Sequence, residues 1–335
     1  MRQIIIAGVI GLLTACGGPD AAQNETPPTP AQTTTTTTKP IIIAHRGASG
    51  DRPEHTLEAY ALAIEQGADF IEPDLVMTKD GVLIARHDLY LSTTTDIADR
   101  PEFADRKRTL DTPFGSRDDW WAEDFTLAEI KTLRARQPFP GRSTAYDDQF
   151  EIPTFEEILA LVKIEAEAGL AVGVYPETKS PAHHARMGLA MAAPLLESLE
   201  NADVAEAGIP VFIQSFEASI LRVLNDRSDW PLVQLISGDA RAVEAGHEPP
   251  LTDIAAYADG VGPNKLLLWS GPGEPSDLFT DAKALGLKIH PWTIRNDRVG
   301  VGYENVEDEL NALFDLGVDG VFTDFPATAV EVRDQ

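Results

Sequence analysis

The chain of 335 residues carries 54 acidic against 27 basic side chains, a formal net charge of −27 and a pI near 4.5. So acidic a surface repels nucleic acid and anionic lipid headgroups, which argues against both as partners; any phosphate site must bring its own positive charge. Hydrophobic content of 43% suffices for a real core, and with Cys16 the single cysteine no disulfide can form within the chain.

Met1-Arg2-Gln3 is a short basic start, and the apolar run Ile4 to Leu13 has the length of a secretory signal core, too short to span a bilayer as a mature helix. Leu13-Thr14-Ala15-Cys16 closes it and resembles a bacterial lipobox. Residues 1–15 are therefore expected to be a lipoprotein signal peptide, with Cys16 the lipidated first residue of the mature protein and more than one acyl chain giving stable anchoring. Gly17 and Gly18 follow, with no acid to mark inner-membrane retention, so the expected place is the bacterial cell envelope, lipid-anchored, periplasmic or outer-membrane associated. Residues 16–39, with Pro27, Pro28, Pro30 and six threonines from Thr33 to Thr38, read as a disordered tether that cannot bury enough apolar area to fold.

From Pro40, short apolar runs alternate with helix-like segments, the pattern of a parallel α/β body over 40–335. Strands are expected over 41–44, 69–75, 171–175, 210–213, 232–236, 259–262, 287–292 and 319–322. Helices are expected over 56–66, 155–167, 182–199, 217–224, 275–285 and 305–316. Eight such units fit a (β/α)₈ TIM barrel, and no glycine-rich dinucleotide loop follows the first strand to favour an open sheet. After Lys79-Asp80-Gly81 a short strand over 82–86 makes a hairpin that brings His87 back. Residues 88–151 then form an insertion above the barrel mouth, with Trp120 and Trp121 packing it and a short helix near 126–134.

At the C-terminal ends of barrel strands, side chains face a shared mouth. His45 and Arg46 sit just past the first strand. Glu72 and Asp74 close the second, and their i, i+2 spacing aims both carboxylates to one side; Glu177 and Lys179 do the same at the third. Three converging carboxylates repel one another unless a cation lies between them, and hard oxygen ligands favour Ca²⁺ or Mg²⁺ over zinc. An ion bridging Glu72, Asp74 and Glu177 would polarise a phosphate oxygen. His45 and His87 would flank the phosphorus as general base and acid, in an order the sequence leaves open. Arg46 would hold the phosphate in bidentate fashion, and Lys179 would meet the anion. Together these residues point to metal-assisted phosphodiester hydrolysis.

The run His45-Arg46-Gly47-Ala48, Pro53-Glu54-His55-Thr56-Leu57-Glu58-Ala59, Gly67-Ala68-Asp69, Glu72-Pro73-Asp74 through Gly81 and His87-Asp88 resembles the bacterial periplasmic glycerophosphodiester phosphodiesterases. The likeness continues through Pro176–Lys179, Gln214-Ser215-Phe216, His290-Pro291-Trp292-Thr293 and Gly317–Pro326, covering nearly all of 40–332. It implies a barrel, a Ca²⁺ requirement and cleavage of glycerophosphodiesters to sn-glycerol 3-phosphate and an alcohol. Its catalytic pair falls on His45 and His87, its phosphate arginine on Arg46 and its metal carboxylates on Glu72, Asp74 and Glu177. Trp292 stands where many relatives have tyrosine, which bears on the pocket wall and substrate preference; Pro73 stands where a polar residue is frequent. Attack by the substrate's own 2-hydroxyl, through a cyclic phosphate, and direct attack by water both suit these residues.

Of the other histidines, His55 reads as structural or supporting, His183, His184 and His247 as surface residues, and His290 as a residue that could line the pocket. Two competing functions are a lysophospholipase D-like phosphodiesterase, which needs an apolar channel or docking patch, and a non-enzymatic ligand-binding lipoprotein on the same barrel.

Overall fold

The computed structural model describes residues 39–112, 115–240 and 248–335. The expected signal peptide, Cys16 and all but the last residue of the tether lie outside the described residues, as does His247. Among the described residues no helix is long and apolar enough to cross a membrane.

Eight parallel strands close into a ring. Ile41–His45 lies between Gly320–Thr323 and Phe70–Glu72, in a register that sets His45 beside Glu72. Val174 bridges to Val211, joining the third strand to the fourth, and Ile213–Ser215, Leu232–Ile236, Gly260–Pro263 and Lys288–Ile289 follow in parallel order. Four backbone bonds close the ring: Asp319 N to Ile289 O at 2.9 Å, Phe322 N to Pro291 O at 3.0 Å, Ile294 N to Phe322 O at 2.8 Å and Asp324 N to Ile294 O at 3.2 Å. The expected barrel is present, with strands displaced by only a few residues.

Prolines cut two strands. The second is split at Pro73, which has no N–H to give a ladder, into Phe70–Glu72 and Asp74–Met77. The first piece pairs with strand one; the second pairs with Glu177–Thr178 and, antiparallel, with the expected hairpin strand Leu83–Ala85. The third is likewise split, into Gly173–Val174 and Glu177–Thr178, around Tyr175-Pro176. At the opposite end an aspartate preceding a strand caps its neighbour three times over. Asp69, Asp259 and Asp319 accept from the N–H groups of Ile42, Leu232 and Ile289 at 2.7, 2.9 and 3.0 Å.

Ile43, Phe70, Tyr175, Val233 and Phe322 fill the barrel interior, and Tyr175 stacks on Phe212 with ring centres 5.1 Å apart. Outside, helices lay apolar stripes on the strands. Phe155–Glu167 starts at a capping box between Thr154 and Glu157 and buries Phe155, Ile158, Leu159 and Val162, as its spacing predicts. The single helix expected over 182–199 is instead two, Pro181–Arg186 and Ala192–Asn201, interrupted where Gly188 takes a φ of 79°. A further helix, Pro326–Asp334, packs against the first strand.

The insertion has a core of its own. Leu91, Ile97, Phe103, Trp120, Ala122, Phe125, Ile130 and Leu133 pack with Val76 and Ile84 of the hairpin. It carries the antiparallel pair Arg108–Thr112 and Gly115–Asp119, and the short helix Leu127–Ile130 begins at a capping box between Thr126 and Glu129.

Candidate active site

The turn after the first strand is shaped by two residues with positive φ, Arg46 at 61° and Gly47 at 83°. A Cβ on Gly47 would stand 2.7 Å from the carbonyl carbon of Ala59, so only glycine fits against the first helix. The turn is locked by Arg46 N, which donates to both Glu72 O at 3.0 Å and Glu72 Oε2 at 2.9 Å. This backbone holds Arg46 at the cavity, where Nη1 meets both oxygens of Glu54 at 3.1 Å and Nε lies 3.1 Å from Asp74 Oδ2. A bidentate grip on phosphate would therefore share Nη1 with Glu54. Although burial opposes its charge, the carboxylates of Glu54, Asp74 and Glu72 hold the guanidinium above its ordinary pKa.

Glu72, Asp74 and Glu177 come together as expected: each is buried, and one oxygen from each lies within 4.8 Å of the other two. Burial first, then the charges of Asp74 and Glu177, pushes Glu72 well above the usual carboxylate range. Burial likewise raises Glu177, up to about 8, against the pull of Lys179. Asp74 goes the other way: despite burial, Lys179 and Arg46 hold it well below its ordinary value. Asp74 Oδ1 is buried without a hydrogen-bond partner, while Oδ2 accepts from His55 Nε2 at 2.9 Å. An orphaned oxygen in an all-oxygen cluster that cannot ionise fully by itself is a fit for a divalent cation. Lys179 Nζ stands 2.8 Å from Glu177 Oε1 and 3.8 Å from Asp74 Oδ1. Gln214 Nε2 donates to Glu72 Oε1 at 3.1 Å.

The two histidines flank the same cavity. His45 Nδ1 is 2.6 Å from Asp324 Oδ1, and His87 Nδ1 is 2.8 Å from Asp88 Oδ1. A carboxylate at Nδ1 assigns the proton there and leaves Nε2 as an acceptor. Burial, then the Arg46 charge, pushes His45 down to about 4 despite Asp324. His87 is also lowered, by burial and by Arg46 and Lys179, but its side chain is 37% exposed. Around them, His45, Arg46, Glu72, His87, Glu177 and Lys179 line a cavity of about 370 Å³. Its outer wall includes Trp292, whose Nε1 donates to Gly262 O at 2.7 Å and whose ring meets Phe216 edge-on.

Every site residue expected from the sequence thus lies in or directly beneath one cavity. Three residues with no expected role join them: Glu54, Gln214 and Asp324. All three stood inside recognised motifs, but nothing local told which partner each would reach. His55 sits beneath the site, bridging Tyr60 Oη at 2.7 Å and Asp74 Oδ2 at 2.9 Å. His290 does not line the pocket: it is buried inside the barrel, its Nδ1 hydrogen-bonded with Tyr175 Oη at 2.9 Å. His184 is not a surface residue either. It is fully buried, its Nε2 accepting from Met77 N at 3.5 Å, while His183 is half-buried with Nε2 2.9 Å from Glu123 Oε1.

Residues 45–328 match the glycerophosphoryl diester phosphodiesterase family. A glycerophosphodiester phosphodiesterase of Arabidopsis thaliana is 36% identical over 321 residues, covering 86% of this chain and 84% of the relative. One from Haemophilus influenzae is 32% identical over 332 residues, covering 87% and 89%. Among solved structures, an Oleispira antarctica phosphodiesterase in complex with the product sn-glycerol-3-phosphate matches with a TM-score of 0.63 at 24% identity, covering 89% of this chain and 98% of that one; at that identity the match speaks for the fold alone. With a family match across most of its length and relatives above 30% identity, the chain belongs to the glycerophosphoryl diester phosphodiesterase family.

Proposed function

We propose that this chain hydrolyses glycerophosphodiesters to sn-glycerol 3-phosphate and an alcohol. The observation that carries the reading is the convergence of two carboxylate-paired histidines, a carboxylate triad and the cations Arg46 and Lys179 on one cavity of an otherwise strongly acidic chain. Arg46 and Lys179 supply the local positive charge that an anionic diester needs there. His45, largely but not fully buried and neutral, presents Nε2 to take the proton from the attacking hydroxyl. His87, more exposed and so more readily protonated, returns a proton to the departing alkoxide as the P–O bond breaks. Glu72, Asp74 and Glu177 would hold a divalent cation; an all-oxygen cluster suits Ca²⁺ or Mg²⁺, and the family resemblance puts Ca²⁺ first. When bound, that ion polarises a non-bridging phosphate oxygen and neutralises developing charge.

The test is glycerol 3-phosphate release from several glycerophospho-alcohols, with and without Ca²⁺. His45→Ala and His87→Ala should each lose turnover while keeping a cooperative melt, and EDTA should suppress activity until Ca²⁺ is restored. Unchanged turnover of glycerophosphocholine in either variant refutes the histidine roles; activity surviving thorough chelation makes the triad structural. The lysophospholipase reading draws support from Leu266 and Val301, apolar residues at the cavity that are 62% and 93% exposed. Lysophosphatidic acid released from a lysophospholipid would favour it. The lipid anchor at Cys16 and the envelope location belong to the proposal on sequence grounds, and Cys16→Ser releasing the protein from membranes would test them.

A further inference from the structure

The insertion sends one side chain into the interior of the site. Arg142, its side chain 2% exposed, donates from Nη2 to Asp324 Oδ2 at 2.6 Å, 182 residues away in the chain. Nε reaches Asp297 Oδ2 at 2.7 Å, Nη2 also reaches Asp297 Oδ1 at 3.2 Å, and Nη1 reaches Ser49 O at 3.2 Å. Ser49 in turn donates from Oγ to His45 O at 2.8 Å, so Arg142 grips both the acid paired with His45 and the loop that carries His45. On the barrel side, Arg295 Nε also donates to Asp324 Oδ2, at 2.7 Å.

A carboxylate turns easily about its last torsion. One donor on Oδ2 would leave Asp324 free to pivot around that bond. Two donors from different directions, one on the insertion and one on the barrel, fix the carboxylate plane and leave Oδ1 on His45 Nδ1. Arginine suits the task because its planar fork serves several acceptors at once. We propose that Arg142 is a positioning residue for proton transfer at His45, a cation delivered by the insertion that fixes Asp324 so that the imidazole keeps Nε2 toward the substrate. The inference rests on the reading of His45 as a proton-transferring group.

The experiment uses the full chain with Ca²⁺ and glycerophosphocholine, reading kcat and KM separately. Arg142→Ala should lower kcat by ~10–100-fold, as a misplacement of about 1 Å does elsewhere, with KM within about twofold. Asp297→Asn, which loosens the insertion but spares the Asp324 contact, should keep kcat within about threefold. In an Asp324→Asn background, Arg142→Ala should cost less than about threefold more, because the two act through one group. Arg142→Ala with near-native kcat overturns the proposal. So does a loss equal to that of Asp297→Asn, or a loss undiminished in the Asp324→Asn background; each would make Arg142 an anchor only. Should Arg142→Ala fail to melt cooperatively, Arg142→Gln is judged by the same ratios. His45→Ala retaining activity would sink the catalytic reading itself. An inactive His45→Ala beside a fully active Arg142→Ala sinks only this inference.

Discussion

Asp324→Asn probes the site most sharply, because it keeps the shape and removes one charge. Asp324 is 1% exposed and is held well below its ordinary pKa, against burial, by His45, Arg295 and Arg142. An asparagine must set its oxygen and its NH₂ on the two sides that the carboxylate served. With NH₂ toward the arginines, two donors at 2.6 and 2.7 Å would face a third donor. The favoured flip therefore puts NH₂ on His45 Nδ1, which must then accept and move its proton to Nε2. The ring presents the wrong tautomer, and kcat should fall on the order of 10²–10⁴-fold with KM little changed. Stability should fall by about 3 kcal/mol, the lower edge for breaking a buried pair, because Arg142 keeps Asp297. At about 2 °C per kcal/mol that is roughly 6 °C in Tm. The assay is steady-state glycerol 3-phosphate release beside a thermal melt. A kcat within about threefold of wild type refutes the tautomer argument, as does a loss that tracks the unfolded fraction at the assay temperature.

Other expectations follow from the same contacts. Ca²⁺ should raise Tm, by about 2.7 kcal/mol of added stability at a hundredfold excess over Kd, and Glu177→Gln should lose most of that gain; equal Ca²⁺ shifts in both proteins would remove the triad as the cation site. Gly47→Ala should destabilise by at least about 2 kcal/mol in urea unfolding, since both its φ and the Ala59 backbone oppose a Cβ; a cost under about 1 kcal/mol would contradict the close approach. Burial pushes His290 down to about 3, so between that pH and 6.5 the unfolded chain binds a proton that the folded chain does not. Stability contributed at this position therefore declines as pH falls through that window, by about 1.4 kcal/mol per unit. His290→Phe should flatten the slope measured at pH 4.5, 5.5 and 6.5 by that amount, and an unchanged slope would mean His290 is protonated in the fold.

Local pattern determined a good deal of this protein. Alternating apolar runs and amphipathic stripes such as Phe155 to Val162 marked the barrel, because burial of one face is written into spacing. The i, i+2 acids Glu72 and Asp74 announced a shared direction, and Pro73 between them explains why the strand breaks there without losing it. Contacts between distant segments were decided only by the closed ring. Asp324 meets His45 across 279 residues because the last strand seats beside the first, and Arg142 arrives from an insertion whose path follows its own small core. His184 and His290 were misplaced for the same reason: a polar side chain goes inside when tertiary packing offers it a site, and spacing along one segment does not record the segments that will cover it.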